Sequence, residues 1–202
     1  TETGTVVFKD INVGTTSSNP KNLTNVNGTL FFSASDGVNG TELWKSDGTE
    51  TGTVVVKDID VGVTSSNPTN LTNINGTLFF SASDGVNGIE LWKSDGTEAG
   101  TMMVKDIFAG SITSNPKLMT NVNGTLFLSA NDGVNGAELW KSDGTETGTV
   151  MVKDINAGAG SSSPSHLVNV NGSLFFTAND GVNGTELWKS DGTVASTVVV
   201  KD

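Results

Sequence analysis

The feature that most constrains this chain is an internal repeat with a period of 48 residues. Trp44, Trp92, Trp140 and Trp188 are separated by that interval, and the motif ELWKSDGT surrounds each of them. A fixed period of about 20 to 50 residues is typical of solenoids, propellers and related arrays, in which each copy buries its apolar faces against its neighbours. The repeat therefore predicts one array of similar units in place of one or two unrelated domains.

Each unit reads as four short strands separated by turn residues. In the first unit the apolar runs predict strand A at residues 23–26, strand B at 29–35, strand C at 41–46 and strand D at 53–59. Asn-Gly and Asp-Gly pairs lie between the strands, and these residues accept the backbone angles of tight turns. The sequence thus predicts an all-β, β-propeller-type repeat array of four-stranded antiparallel blades.

The period also predicts the boundaries of the blades. A single array over residues 1–202 divides into units at 12–59, 60–107, 108–155 and 156–202. Residues 1–11 repeat the sequence of strand D and are predicted to form an extra outer strand of a preceding or closing blade. Closure stays open at this point. Four blades can form a ring, two chains can build a homodimer with an eight-bladed ring, or the chain is part of a longer array.

Apolar residues in strands B, C and D are consecutive and do not alternate with polar ones. Such runs predict strands that are buried on both faces, as in a sheet between two others. In a meander the B–C turn and the crossover from strand D to the next strand A lie on one rim, which is predicted to hold the most polar loops. The crossovers also differ most between units. Changeable loops on one rim are typical of binding modules, although neutral drift produces the same pattern.

The composition argues against several functions. The chain has no cysteine, arginine or tyrosine, a single histidine and a formal net charge of −11. Without cysteine it forms no disulfide and no cysteine metal site. The acidic balance argues against nucleic acid and anionic membranes as partners, because both require a basic surface. No apolar run approaches the roughly 20 residues that span a bilayer, so we expect no membrane insertion.

Two segments, ELWKSDGTETGTVVVKDI at residues 42–59 and NGTLFFSASDGVNGTELW at residues 27–44, resemble the ELWxxDGT repeat family of secreted and cell-surface bacterial proteins, including cyanobacterial ones. The resemblance covers essentially the whole chain, although the fourth unit departs from it at residues 194–196. It implies a β-propeller-like fold and an extracellular or cell-surface location, with any signal sequence outside this chain. The near identity of the units also resembles recently amplified propellers, so invariance between units does not by itself mark a site.

The DGVNGTE loop after strand B contains candidate calcium ligands. Its Asp, Asn and Glu offer oxygen ligands, although their spacing is not that of an EF-hand loop. Turn chemistry explains the same residues, because Asp and Asn side chains bind the backbone of turns and Gly supplies positive φ angles. No cofactor is required, and calcium is the one metal considered. The candidate ligands are Asp36, Asn39, Glu42, Asp84, Asn87, Glu90, Asp132, Asn135, Glu138, Asp180, Asn183 and Glu186.

The residues do not favour catalysis, so we expect no enzymatic activity. A glycosidase needs two carboxylates in one special site, whereas nearly all carboxylates here recur in every unit. His166 replaces Asn22 of the first unit and is interpreted as a crossover residue. The tryptophans are predicted to pack in the core with their indole N–H bonded to a neighbouring blade. The Ser-Asp-Gly-Thr segments resemble the Asp-box turns of other propellers and are predicted to be structural.

Two functions remain after these exclusions. The first is a non-catalytic extracellular scaffold for binding or adhesion, which recognises a glycan or a protein through the polar rim. The candidate binding residues are Asn19, Asn67, Asn115 and His166. The second is a purely structural repeat for self-assembly or spacing in a surface layer or filament.

Overall fold

The computed structural model describes residues 4–201, which form sixteen β-strands and no α-helix. The strands pair in sequence order into four antiparallel sheets, called blades 1 to 4. Blade 1 contains β1 (Lys21–Val26), β2 (Thr29–Ser35), β3 (Thr41–Ser46) and β4 (Val54–Lys57). Blade 2 contains β5 (Thr69–Ile74), β6 (Thr77–Ser83), β7 (Ile89–Ser94) and β8 (Met102–Lys105). Blade 3 contains β9 (Lys117–Val122), β10 (Thr125–Asn131), β11 (Ala137–Ser142) and β12 (Val150–Lys153). Blade 4 contains β13 (Ser165–Val170), β14 (Ser173–Asn179), β15 (Thr185–Ser190) and β16 (Val198–Lys201).

The predicted all-β, propeller-type architecture with four-stranded antiparallel blades is confirmed. The first strands of successive blades lie side by side, since β1 contacts β5, β5 contacts β9 and β9 contacts β13. The first strand of each blade is therefore innermost, and the fourth is outermost. Among the described residues there is no helix with the length and apolarity that a membrane crossing requires.

The second and third strands of blade 1 have the predicted bounds, whereas the first and fourth do not. Strand β1 begins at Lys21, two residues early, because Asn22 adopts a φ of 57° and shifts the β1–β2 register between Lys21 and Thr24. Strand β4 ends at Lys57 because Ile59 leaves the sheet and is buried between blades. Both departures are produced by contacts that a local sequence pattern does not contain.

Each blade packs on the next through one hydrophobic core, and the same positions form it each time. The face of each blade that packs on the next blade is called its outgoing face. In blade 1 it consists of Val26, Phe31, Leu43, Val56 and Ile59. The opposite face, which packs on the preceding blade, is called the incoming face. In blade 2 it consists of Leu78, Phe80, Ala82 and Trp92. Equivalent residues form the cores between blades 2 and 3 and between blades 3 and 4. The prediction that strands are buried on both faces is therefore confirmed for the second and third strands of blades 2 and 3. The fourth strands are buried in part, since Met102 is 43% and Val150 36% exposed.

Blade 4 differs because no described residue covers its outgoing face. Leu187 is 44% exposed, whereas its equivalents Leu43, Leu91 and Leu139 are 0% exposed. Within residues 4–201 only the incoming face of this blade is buried. No hydrophobic core joins blade 4 to blade 1 within residues 4–201, so this part of the chain is an open array.

The N-terminal segment also departs from the prediction of an extra outer strand. Residues 1–3 lie outside the described residues, and residues 4–11 form no strand. All four strands of blade 1 already pair with one another, so this segment has no strand C beside it. Ile11 nevertheless packs on the incoming face of blade 1, against Phe32 and Trp44. That is the position that Ile59 takes on blade 2.

The four tryptophans are buried, but the predicted bond from the indole to a neighbouring blade is wrong. Nε1 of Trp188 donates to the carbonyl oxygen of Ala178 at 3.1 Å, within the same blade. In the part of the chain that the structure describes, Nε1 of Trp92 and of Trp140 is buried without a hydrogen-bond partner.

Candidate binding site on the crossover rim

The crossover rim is the end of the array that holds the crossovers (residues 12–20, 60–68, 108–116 and 156–164) and the B–C turns (residues 36–40, 84–88, 132–136 and 180–184). Hydrogen bonds join these loops, as their predicted placement on one rim requires. The Thr41 N–H donates to Ser65 Oγ at 2.9 Å, and the Asn67 N–H donates to the Thr41 carbonyl at 3.1 Å. On the other side, the Ser83 N–H donates to the Ser66 carbonyl at 3.0 Å. Each crossover is thus anchored to both blades that it connects.

A buried glutamate in each of blades 1 to 3 binds the crossover that follows it. Oε2 of Glu42 accepts a hydrogen bond from the Ile59 N–H at 2.9 Å, and Oε1 accepts one from the Ser66 N–H at 2.8 Å. Ser66 Oγ donates to Oε2 at 2.5 Å. Glu90 and Glu138 make the same three hydrogen bonds. Hydrogen bonds to a charged acceptor are strong, so these glutamates hold the crossovers in place.

The glutamates and the turn aspartates have pKa values that shift in opposite directions. Burial raises the pKa of the Glu42 carboxyl above its usual value of 4.5, and the hydrogen bonds from Ser66 and Ile59 only partly offset this rise. Partial burial also raises the pKa of Asp36, but there the hydrogen bonds from Asn39 and Val38 prevail and hold the pKa below 3.8. The equivalent groups in blades 2 and 3 shift in the same directions.

These shifts predict an array that is most stable in mildly acidic solution. A raised glutamate pKa contributes stability that is complete below about pH 4.5 and is lost as the pH rises through the folded-state value. A lowered aspartate pKa contributes stability that is present above about pH 3.8 and is lost as the pH falls. We therefore expect the urea midpoint of unfolding to decrease as the pH rises from about 4.5 through the folded-state pKa of the glutamates.

A variant with Glu42→Gln, Glu90→Gln and Glu138→Gln should lose most of this slope, because its buried groups no longer titrate. Glu186→Gln is the matched control, since it removes a carboxylate at the equivalent position of blade 4 and should leave the slope in place. A wild-type midpoint that stays level or increases over this pH range would contradict the prediction.

The predicted calcium ligands fall into two groups with different partners. Oδ1 of Asp36 accepts hydrogen bonds from the N–H groups of Val38 and Asn39, both at 2.8 Å, and Oδ2 accepts one from Asn39 Nδ2 at 2.7 Å. The B–C turns of the other three blades repeat this pattern. Glu42 instead binds the crossover. Within residues 4–201, no group of three or more His, Cys, Asp or Glu side chains is placed to hold a metal. Calcium binding stays a prediction, and the turn aspartates and the glutamates of blades 1 to 3 already accept hydrogen bonds.

A cleft of about 260 Å³ opens on the crossover rim between blades 1 and 2. Asn19 and Asn67 are equivalent residues of successive crossovers, and both line it. Both are exposed and have positive φ angles of 45° and 47°, a conformation that asparagine adopts more readily than most residues. The full lining is Asn19, Lys21, Asn22, Ser33, Thr41, Asn67, Pro68 and Thr69. The cleft therefore presents amide, hydroxyl and ammonium groups.

The remaining candidate binding residues lie elsewhere on the same rim. An equivalent cleft of about 240 Å³ lies between blades 3 and 4, but Leu118 and Ser163 occupy the positions of Asn22 and Asn67 there. Asn115 is exposed and does not line either cleft. His166 is exposed as well, with Nδ1 at 3.3 Å from Thr177 Oγ1 of its own blade. The structure thus brings together only Asn19 and Asn67 of the predicted set.

Two features of the rim were missed from the sequence. Asn22 Nδ2 donates to the Pro68 carbonyl at 3.0 Å and so links two blades beside the cleft. The recurrence of this residue as Asn70 was the available signal. The rim is also less polar than predicted, because each B–C turn exposes a valine. These valines, which are 66 to 86% exposed, are Val38, Val86, Val134 and Val182.

The C–D turns on the opposite rim are structural, as predicted for the Ser-Asp-Gly-Thr segments. Oδ1 of Asp47 accepts hydrogen bonds from the Thr49 N–H at 2.9 Å and from Thr49 Oγ1 at 2.7 Å. Lys45 Nζ donates to the Gly96 carbonyl at 2.8 Å and ties blade 1 to the C–D turn of blade 2. These contacts stabilise the array, and two smaller clefts of about 200 and 170 Å³ open beside them on this rim.

No family model matches the chain, and no curated protein matches it. A puromycin hydrolase mutant is similar in structure, with a TM-score of 0.54 and 16% identity over 85% of this chain. A GH43B protein of a Bacteroides ovatus xyloglucan PUL has a TM-score of 0.44 and 14% identity, and the match covers 96% of this chain and 42% of that one. An alpha-L-arabinofuranosidase from Clostridium thermocellum has a TM-score of 0.36 and 16% identity, and the match covers 92% of this chain and 74% of that one. The chain spans 26% of the length of the puromycin hydrolase, and at this identity the likeness concerns the fold alone.

Proposed function

We propose that this chain is a non-catalytic extracellular module that binds a glycan or a protein through the crossover rim. The observation that carries the proposal is the cleft between blades 1 and 2, where two crossovers bring Asn19 and Asn67 into one lining. The crossovers vary between units while Glu42 and its equivalents anchor them. Variable loops on a rigid scaffold suit recognition. The extracellular location rests on the resemblance to the ELWxxDGT repeat family.

A neutral glycan suits the chemistry of this cleft best. Asparagine amides both donate and accept hydrogen bonds, as sugar hydroxyls do. The exposed Val38 and Val86, in the B–C turns of the same two blades, add apolar surface to this rim outside the cleft. The formal net charge of −11 opposes a strongly anionic ligand. Of the described residues in the lining, Lys21 alone carries a charge.

The same lining supports binding without turnover. Among the described residues it contains no Asp, Glu or His. Hydrolysis of a glycosidic bond generally requires two carboxyl groups that flank the bond, one as an acid and one as a base or nucleophile. A glycan held in this cleft would meet neither group, so we expect it to be bound and released unchanged.

A glycan array with the labelled chain tests the proposal. We expect binding of at least one neutral glycan, and a loss of about tenfold or more in affinity when Asn19, Asn67 and Asn115 are replaced by glycine. Two lost hydrogen bonds of about 1 kcal/mol each account for this loss. Glycine accepts the positive φ of these positions, so the substitution removes the amide and keeps the backbone.

The matched control replaces Asn27, Asn75 and Asn123 by glycine. These residues lie on the opposite rim and have similar φ angles of 51° to 52°. This variant should bind as the wild type does. Equal losses in both variants would remove the site from the crossover rim, and a wild-type chain that binds no glycan would contradict glycan recognition.

A second candidate function is a purely structural repeat for self-assembly or spacing in a surface layer or filament. One observation favours it, namely the exposed outgoing face of blade 4. This function predicts that the chain binds no glycan in the glycan-array experiment and that it associates as its concentration increases.

A further inference from the structure

The outgoing face of blade 4 carries the residue types that form the three internal interfaces. It consists of Val170, Phe175, Leu187 and Val200. In blades 1 to 3 the residues at these four positions are at most 6% exposed. In blade 4, Val170 and Val200 are both 45% exposed and Leu187 is 44% exposed. A face that is buried three times in one molecule is therefore left open once.

Glu186 belongs to the same open surface. Its equivalents Glu42, Glu90 and Glu138 each accept three hydrogen bonds from the next crossover. Glu186 is only partly buried, and no crossover follows it within the described residues. Blade 4 therefore presents both the apolar half and the acceptor half of a blade interface.

The donor half of such an interface lies at the other end of the chain. Ile11 and Ser18 are the equivalents of Ile59 and Ser66, which supply the three hydrogen bonds to Glu42. The sequence around them, INVGTTSSNP, matches the crossover IDVGVTSSNP that follows blade 1.

These donors are already held on blade 1 in the arrangement seen in the other blades. Ile11 packs on the incoming face against Phe32 and Trp44. The Ser35 N–H donates to the Ser18 carbonyl at 2.9 Å, and blades 2 to 4 have the same bond at 2.9 to 3.0 Å. The N-terminal end of the array is thus preformed as the complement of blade 4.

We propose that the outgoing face of blade 4 binds blade 1 and residues 11–20 of a second copy of this chain, with Glu186 accepting hydrogen bonds from Ile11 and Ser18 of that copy. Every contact would then repeat an interface that one chain already contains three times. The two surfaces differ from each other, so the contact is heterologous. Two chains can close it into a ring, or many can extend it into a filament. The contact uses other residues than the cleft on the crossover rim.

One segment has to move for this contact to form. Residues 5–10 have nearly the same sequence as residues 197–202, so both segments suit the fourth-strand position of a blade. In blade 4 this position is already taken, because β16 pairs with β15. Residues 5–10 pair with no strand, and a cavity of about 310 Å³ separates part of them from blade 1. This loosely packed segment is therefore displaced, while Ile11 and Ser18 keep their places on blade 1.

The test is the molar mass of the full chain by light scattering over a concentration series. We expect the mass to exceed that of one chain, 20.8 kDa, as the concentration increases, with a limit at two chains for a closed ring. Leu187→Asp should weaken association about 100-fold or more, because it places a charge in an apolar contact. Ile11→Asp should do the same from the complementary side.

A mixture of the two variants keeps the test independent of misfolding. The Leu187→Asp chain retains an intact N-terminal end, and the Ile11→Asp chain retains an intact blade 4. Neither alone should associate, while the mixture should form a species with the mass of two chains. A wild-type chain that remains at 20.8 kDa up to about 1 mM would overturn the proposal. The same result is expected if the chain's own N-terminal segment covers blade 4, and that case would overturn the proposal too. A mixture that remains at the mass of one chain would overturn it as well.

Glycan binding by the Leu187→Asp chain separates this inference from the proposed function. The substitution leaves the cleft between blades 1 and 2 intact, so any glycan bound by the wild type should still be bound. Loss of association with retained binding supports both proposals. Association without any glycan binding supports this inference alone.

Discussion

Replacing Glu90 by alanine is expected to lower the free energy of unfolding by about 3 kcal/mol or more. The carboxylate of Glu90 is fully buried and accepts hydrogen bonds from the N–H of Ile107 and from the N–H and Oγ of Ser114. Alanine leaves the N–H groups of Ile107 and Ser114 buried without an acceptor, and each unsatisfied group costs about 1 to 3 kcal/mol, whereas Ser114 Oγ keeps the Ile89 carbonyl as an acceptor at 3.4 Å. The crossover between blades 2 and 3 loses its anchor at the same time.

Glu186→Ala is the matched control for this prediction. It removes the same atoms at the equivalent position of blade 4, where the carboxylate is partly exposed and no following crossover is present among the described residues. We expect its effect to stay within about 0.5 kcal/mol. Urea unfolding monitored by tryptophan fluorescence measures both variants, at a concentration low enough to keep the chains single. Equal losses in the two variants would show that the hydrogen bonds to the crossover are not the cause.

Leu91→Ala is expected to lower the free energy of unfolding by about 2 to 5 kcal/mol. Leu91 is fully buried in the core between blades 2 and 3, where it belongs to the same cluster as Leu126 and Trp140. Removing most of its side chain leaves a cavity that two rigid sheets can fill only in part, so the loss exceeds the transfer free energy of the removed atoms.

Leu187→Ala gives the comparison for Leu91→Ala, because both leucines occupy the same position of the third strand in their blades. Leu187 is 44% exposed, so we expect a loss below about 1 kcal/mol at low protein concentration. Unfolding measured by urea titration should separate the two variants clearly. If Leu187→Ala is as costly as Leu91→Ala at every concentration, then another part of the chain covers blade 4 in solution.

The blades could be predicted because their signals are local. Strands β2 and β3 lie at their predicted bounds, since Asn-Gly and Asp-Gly turn residues delimit them. The first and fourth strands were predicted less well. The bulge at Asn22 and the burial of Ile59 depend on the neighbouring blade, and a pattern of apolar residues within one unit carries no information about it.

The rim that holds the candidate site was predicted from the sequence, but the hydrogen-bond partners of its residues were not. Asn19 and Asn67 were expected on one rim, and the structure places them in one cleft. Glu42 was a candidate calcium ligand because it follows a loop rich in oxygen ligands, yet its partners Ile59 and Ser66 lie 17 and 24 residues further along the chain. Sequence spacing identifies neighbours within a loop, whereas the pairing of two loops depends on how the blades stack.

Every junction between blades joins the same type of outgoing face to the same type of incoming face. No residue within a blade therefore specifies the number of blades. Each internal junction has the same apolar core and the same glutamate bound to the next crossover. Recombination that adds or removes one unit of 48 residues would therefore recreate a junction chemically equal to those beside it. The number of blades can then change one blade at a time with little loss of packing. Which numbers of blades persist depends on whether the blades can close into a ring, and not on the chemistry of the junctions.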